Sequence, residues 1–167
     1  MLGMASILQS VNNISSDGSA TIYLYSQIGG KNGIDGQMVA DHIKHLSEVE
    51  RVPLIKIRIN SPGGSVQEGL SIYNAIINAR KETRVDTYVD GVAASMAAVI
   101  GQSGDNRYMN DFARVMIHLA HVDEEVMSKE QTEAVNQMNS LIVKIFDNNL
   151  SSSPSELTSM MTATTWM

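Results

Sequence analysis

Ile55-Lys56-Ile57-Arg58-Ile59-Asn60-Ser61-Pro62-Gly63-Gly64-Ser65 is the stretch on which the architecture turns. Its isoleucines fall on alternate positions and share one face, while Lys56 and Arg58 take the other, the period of two expected of a strand that Pro53 opens. The run goes straight into Pro-Gly-Gly, a tight turn. Beyond it Val66, Leu70, Tyr73, Ile76 and Ile77 recur at helical spacing, and residues 85 to 89 read as a strand again. Strand, turn, helix and strand make a βαβ crossover, right-handed by default, in a layered α/β domain.

Upstream, Ile22, Tyr23, Leu24 and Tyr25 mark a first strand over residues 20 to 28, stopped by Gly29-Gly30. Asp35 then caps a helix carrying Met38, Val39, Ile43 and Leu46 on one side and Asp41, His42, Lys44 and His45 on the wet side. Residues 9 to 19 are too polar to order themselves by burial, so residues 1 to 19 are expected to form a mobile arm. Downstream, Ser95 follows an apolar, β-prone run and opens a small-residue segment that reads as a helix to about Gly101. A loop through Gly104-Asp105-Asn106 and strands near 107 to 109 and 113 to 117 complete the core.

After His121 the character changes. Ser128-Lys129-Glu130-Gln131 is a capping box, and Ala134, Val135, Met138, Leu141, Ile142, Ile145 and Phe146 form the stripe of a long amphipathic helix. A second capping box, Ser153-Pro154-Ser155-Glu156, starts a short helix near Leu157. The expected organisation is one domain over residues 20 to 167: an α/β core to 121, the long helix within 122 to 150, and a short helix with a truncated end over 151 to 167.

The formal charge is −6, with no basic cluster to set against it, which argues against a nucleic-acid surface or an anionic membrane as partner. The chain contains no cysteine, so disulfides and thiolate metal sites are excluded. The start lacks the layout of a signal peptide and no apolar run is long enough to span a bilayer, so a cytoplasmic setting is expected.

The chemistry concentrates at Ser95, whose hydroxyl falls at a strand-to-helix turn beside amides that lack helical partners. His118, ending the run Val115-Met116-Ile117, is a base of the kind such a serine needs. Taken singly, Ser95 reads better as a helix cap and His118 as a strand-end histidine. Gly63-Gly64-Ser65 before a helix lacks the Lys and Ser/Thr of a phosphate loop, and His42 with His45 lacks a third ligand for a metal.

Three segments change those odds together: Ile59-Asn60-Ser61-Pro62-Gly63-Gly64, Gly91-Val92-Ala93-Ala94-Ser95-Met96 and Met116-Ile117-His118. In order and separation they resemble the Clp protease proteolytic subunit family, ClpP, most closely the ClpP-like prohead proteases of tailed bacteriophages. The likeness is strong over residues 20 to 120 and general beyond. It implies a ClpP/crotonase-like superhelix of ββα units with a protruding long helix. It also implies a serine endopeptidase acting on unfolded or flexible polypeptide, with Ser95 as nucleophile, His118 as general base and the amides of Gly64 and Met96 as oxyanion hole. Gly63, Ser65, Val66 and Leu119 would line the extended substrate. No cofactor or metal is implied.

The implied partners are further copies in a homo-oligomeric ring, an ATP-dependent unfoldase, or phage capsid and scaffold protein, in the bacterial cytoplasm or a procapsid. The family places an acidic residue just before an aromatic near its C-terminal end. The matching stretch, Thr162-Ala163-Thr164-Thr165-Trp166-Met167, holds no carboxylate, and Thr164 takes the position of the missing triad acid. Glu156 is the nearest carboxylate and is already accounted for as a cap. Two alternatives stand beside the peptidase: a ClpP-like assembly protein of weak or no catalysis, and a crotonase-like acyl-CoA enzyme. The latter shares the paired amides but has no need of the Ser95 and His118 pair.

Overall fold

The alternating isoleucines form β2, Leu54–Ser61, in a computed structural model that describes residues 14–120 and 128–167. The chain divides into two compact units between Val115 and Met116.

In the first unit β2 lies between β1, Ala20–Leu24, and β3, Arg84–Ala94, with β4, Asn106–Met109, beyond β3, every pair parallel. The register sets Ile22 beside Ile57, Ile57 beside Thr87, and Thr87 beside Arg107. Ile55, Ile57 and Ile59 are fully buried, together with Ile22, Leu24 and Val85. Each such side chain contributes about 1.5–3 kcal/mol through burial. The apolar helical residues supply the rest of this core: Ile72 and Ile76 from α2, Val66–Ala79, and every residue of α3, Met96–Gly101. The opposite face of the sheet carries the even-numbered positions of β2 and β3. There Arg58 pairs with Asp90, which also accepts the Tyr25 hydroxyl at 2.6 Å. Arg58 lies 5.3 Å from the Tyr88 ring centroid, and Tyr88 stacks on Tyr108 at 4.7 Å.

Asp35 caps α1, Gly36–Lys44, by accepting the Met38 amide at 2.9 Å, as its spacing predicts. The chain then widens into a π-helical turn, His45–Val49, which the sequence pattern does not announce. His42 departs from the wet-side expectation: it is half-buried, and its Nε2 is enclosed without a hydrogen-bond partner among the described residues. Burial, and secondarily the nearby His45, lower its pKa below the ordinary histidine value. Met38, expected on the apolar side, is exposed.

Three further differences have local causes. β1 stops at Leu24, and Ile28 makes only isolated bridges, to Ile34 and Gly64. The buried face of α2 is Gly69, Ile72, Ile76 and Ala79, leaving Leu70, Tyr73 and Ile77 half-covered, because two small residues let the helix approach its neighbours more closely on that side. β3 runs on past residue 89 through Asp90-Gly91, residues that disfavour strands. A register shift between Ile59 and Ser61 brings Ser61 beside Ala93, and the Asn60 side chain accepts the Val92 amide at 3.0 Å, so the pairing survives.

Of the stretch expected to form an arm, residues 1 to 13 lie outside the described residues. Residues 14 to 19 make a turn closed by Ser15 N–H to the Ser19 carbonyl at 2.8 Å, and Lys56 Nζ donates to Ser19 Oγ at 2.9 Å.

In the second unit α4, Lys129–Asp147, and α5, Pro154–Thr162, begin at the two capping boxes read from the sequence, with Ser128 and Ser153 as caps. Residues 121 to 127, including the expected start of the long helix, lie outside the described residues. The apolar stripe of α4 is buried only at its C-terminal end, at Ile142, Ile145 and Phe146, where Leu157 and Met161 of α5 are buried too. β5, Arg114–Ile117, crosses the junction between the units and pairs antiparallel with β6, Thr165–Trp166, a strand too short to register as sequence periodicity. No helix among the described residues is long and apolar enough to cross a membrane.

Candidate active site

β3 ends at Ala94 and α3 begins at Met96, so Ser95 alone joins strand to helix, with φ 55° and ψ −124°. A residue bearing a Cβ adopts such backbone only when its surroundings impose it, at a cost on the order of 1–3 kcal/mol. Ala93, Ala94 and the whole of α3 are buried around it and supply that constraint. The Ser95 side chain makes no capping bond to α3, so the ordinary role of a serine in this position is set aside. The Ser95 carbonyl accepts the amides of Ala98 at 3.0 Å and Val99 at 3.4 Å, while Met96, as the first helical residue, keeps an amide with no intrahelical acceptor.

The glycine turn lies against this junction. Gly63 has φ +88°, and a β-carbon there would overlap the Ala94 carbonyl and come within 2.7 Å of Ser95 Cβ and 2.9 Å of Met96 N. Only glycine permits both the conformation and the approach. Ile28 N–H donates to the Gly63 carbonyl at 2.8 Å, and Ser65 N–H donates to the Ile28 carbonyl at 2.8 Å. That parallel bridge uses the groups flanking Gly64, so the amide of Gly64 itself points away from Ile28. Gly64 is exposed, at φ +145°. Ser65 then caps α2 by accepting the Glu68 amide at 3.3 Å, and Val66, the first residue of α2, is half-buried.

Ser95, Gly63, Gly64, Met96, Ser65 and Val66 therefore belong to the first unit, with the Gly63 backbone in contact range of both Ser95 and Met96. His118, Leu119 and Thr164 belong to the second. His118 follows β5 directly and is half-buried. The β5 and β6 register pairs Met116 with Trp166 and Ile117 with Thr165, and His118 and Thr164 adjoin the last of these pairs in sequence. Thr164 has φ 53° and donates its amide to the Met161 carbonyl at 3.2 Å, which also accepts the Leu119 amide at 3.2 Å. Asn139 of α4 brackets Ala120, accepting its N–H at 2.7 Å and donating to its carbonyl at 3.3 Å. The segment after β5 is thus held on both sides of Leu119. Among the described residues no three His, Asp or Glu side chains are grouped as metal ligands.

Two supporting residues escaped the sequence reading. Ser61 continues the inward alternation of Ile55, Ile57 and Ile59, so a hydroxyl stands where the pattern calls for an apolar side chain, and that mismatch was a visible signal. Gly69 left none, since its role is to make room for the Met96 side chain, 27 positions away in sequence.

A serine on strained backbone between a strand and a buried helix, with a glycine turn packed against it, is the main-chain form taken by serine hydrolases that use an elbow-mounted nucleophile. Comparison with known proteins narrows that class. The model of the Clp protease family matches residues 9–167, and the chain belongs to that family. It is 38% identical over 113 residues to an ATP-dependent Clp protease proteolytic subunit of Cyanophora paradoxa, an alignment covering 65% of this chain and 55% of the relative. It is 42% identical over 76 residues to the subunit of the same name from Pleurastrum terricola, covering 44% of this chain and 38% of the relative. The matched region thus spans about half, or less, of the length of these curated relatives. The mixed α/β architecture, with its mostly parallel sheet, agrees with the fold that the sequence motifs imply.

Proposed function

We propose that the chain is a serine peptidase that hydrolyses unfolded or flexible polypeptide, with Ser95 as nucleophile and His118 as general base. The observation that carries this reading is Ser95 itself: it sits at φ 55° between strand and helix, caps nothing, and has the Gly63-Gly64 turn packed beside it, in a member of the Clp protease family. Ser95 Oγ attacks the scissile carbonyl while its proton passes to His118. The tetrahedral oxyanion takes hydrogen bonds from the amides of Gly64 and Met96, and such donors are worth about 3–4 kcal/mol each. The C–N bond then breaks as His118 returns the proton to the leaving amine, and water releases the acyl group by the same steps reversed. Gly63, Ser65, Val66 and Leu119 are assigned to an extended substrate paired main chain to main chain, which gives loose side-chain specificity.

Assembly into a ring, service by an ATP-driven unfoldase, and a natural substrate among phage scaffold or capsid proteins belong to this reading as finer proposals. The name carried by the relatives supports the unfoldase, and the motif likeness to prohead proteases supports the phage substrate. A fluorophosphonate probe is expected to label the chain at Ser95, and Ser95→Ala to abolish both labelling and peptide hydrolysis. Labelling at another serine overturns the assignment.

A second reading, a ClpP-like assembly protein with weak catalysis, is favoured by one observation: Thr164, which adjoins the last β5–β6 pair as His118 does, bears no carboxylate that could orient the imidazole. Loss of that carboxylate in a comparable triad lowers turnover by about 10⁴.

A further inference from the structure

We infer that Ser61 is a positioning residue for the oxyanion hole, holding the Gly64 amide in place from inside the core without touching substrate. The inference rests on the peptidase reading above and adds to it a residue whose only reach into the chemistry is through the backbone.

Ser61 is the last residue of β2 and is 1% exposed. A buried hydroxyl is costly unless its donor and acceptor capacity are used. Here both are: Ser61 Oγ donates to the Ser26 carbonyl at 2.7 Å and accepts the Gly63 amide at 3.1 Å. These two bonds join the segment that leaves β1 to the turn that leaves β2. Two residues beyond Ser26, Ile28 makes the bridge that spans Gly64, taking the Ser65 amide and giving its own amide to Gly63. The turn is therefore tied twice, once at the Gly63 N–H through the serine hydroxyl and once on either side of Gly64 through Ile28.

The geometry leaves Gly64 little choice of orientation. Gly63 is held against Ala94, Ser95 and Met96 on one side, and a β-carbon on Gly64 would overlap the Ile28 carbonyl on the other. Pro62, just before, brings no amide to the network. With the Gly63 amide bonded to Ser61, rotation of the Pro62–Gly63 peptide is opposed, and the following peptide, whose N–H belongs to Gly64 and whose carbonyl takes the Ile28 amide, is steadied from both ends. Alanine at 61 fills nearly the same volume but leaves the buried Gly63 amide without its acceptor and the Ser26 carbonyl without its donor. The Gly63–Gly64 peptide would then be held through Ile28 alone, with one of the two ties on the turn gone, and a donor displaced from its best position for the oxyanion loses part of its effect.

The test compares wild type, Ser61→Ala, Ser61→Thr and Ser95→Ala in the full chain. Three readouts are used: the rate of fluorophosphonate labelling, the affinity of a peptidyl boronate that forms a tetrahedral adduct, and the affinity of a cleaved product peptide. In Ser61→Ala, labelling and boronate affinity are expected to fall by roughly tenfold to a hundredfold, part of the loss seen when a donor is deleted outright. Product affinity should stay within about twofold, and Ser61→Thr should recover most of the loss. Amide exchange at Gly63 should quicken at least tenfold in Ser61→Ala, whatever the catalytic activity. Unchanged labelling and boronate affinity overturn the inference, as does unchanged exchange at Gly63. An equal loss of boronate and product affinity also overturns it, because that marks a general structural role. Ser95→Ala separates the two claims: if it labels and binds boronate like wild type, the peptidase reading fails. If Ser95→Ala is inert while Ser61→Ala matches wild type, only the positioning role fails.

Discussion

Gly69→Ala sets two calculable effects against each other. Gly69 lies in α2, where alanine is favoured over glycine by about 1 kcal/mol in helix propensity alone. In an open helix the substitution would stabilise. Here a β-carbon would overlap Met96 Cγ and lie 3.0 Å from Met96 Cε and 3.1 Å from its Sδ. Met96 is 1% exposed and has no room to swing away, so the overpacking costs about 1–3 kcal/mol. The net expectation is a loss of about 0–2 kcal/mol, readable by urea denaturation as a lower midpoint with unchanged slope. The effect on the site should exceed the effect on stability, because Met96 carries one of the proposed oxyanion amides and its side chain anchors that peptide. Fluorophosphonate labelling of Ser95 should fall by about tenfold or more. Removing the obstructing side chain makes the decisive control: in a Met96→Ala background, Gly69→Ala should be neutral or stabilising, since the new methyl then fills part of a cavity. A Gly69→Ala variant more stable than its parent, or equally destabilised in both backgrounds, would refute the packing argument.

Two further outcomes are expected. Burial, and secondarily the nearby His45, hold the His42 pKa below the ordinary histidine value, so on acidification the unfolded chain takes up a proton that the folded chain resists. Unfolding free energy should therefore drop as pH falls from about 7 to 5, and His42→Gln should flatten that slope; parallel pH profiles for the two proteins would contradict it. Thr164→Asp should raise turnover of a fluorogenic peptide, by up to about 10⁴ if the carboxylate orients His118 fully. The backbone there, at φ 53°, suits aspartate better than threonine, so no loss of thermal stability should accompany the gain, and an unchanged kcat would place the orienting group elsewhere.

Much of the fold was legible because its signals are local. The alternation of Ile55, Ile57 and Ile59 declares a strand by itself, and Ser128 and Ser153 declare helix starts through bonds that span only three residues. The extension of β3 through Asp90-Gly91 was not legible, because it depends on an Asn60 side chain that belongs to a different strand. Nor was the shift of the buried face of α2 toward Gly69, since residue types alone made Leu70 and Tyr73 the stronger candidates. The β5 and β6 pairing was missed for want of length: a strand of two residues has no period to detect.

The order of motifs along the chain, with a glycine turn, a serine between strand and helix, and a histidine after a strand, was enough to determine the family and the α/β class. Tertiary structure alone decided that Ser95 caps nothing and is held at positive φ, that Gly63 abuts it, and that Ser61 ties the turn to Ser26. The physical reason is reach. Periodicity and capping act over a few neighbouring residues and are written in their order, whereas a strained backbone or a buried hydrogen bond exists only where distant segments are packed together to enforce it.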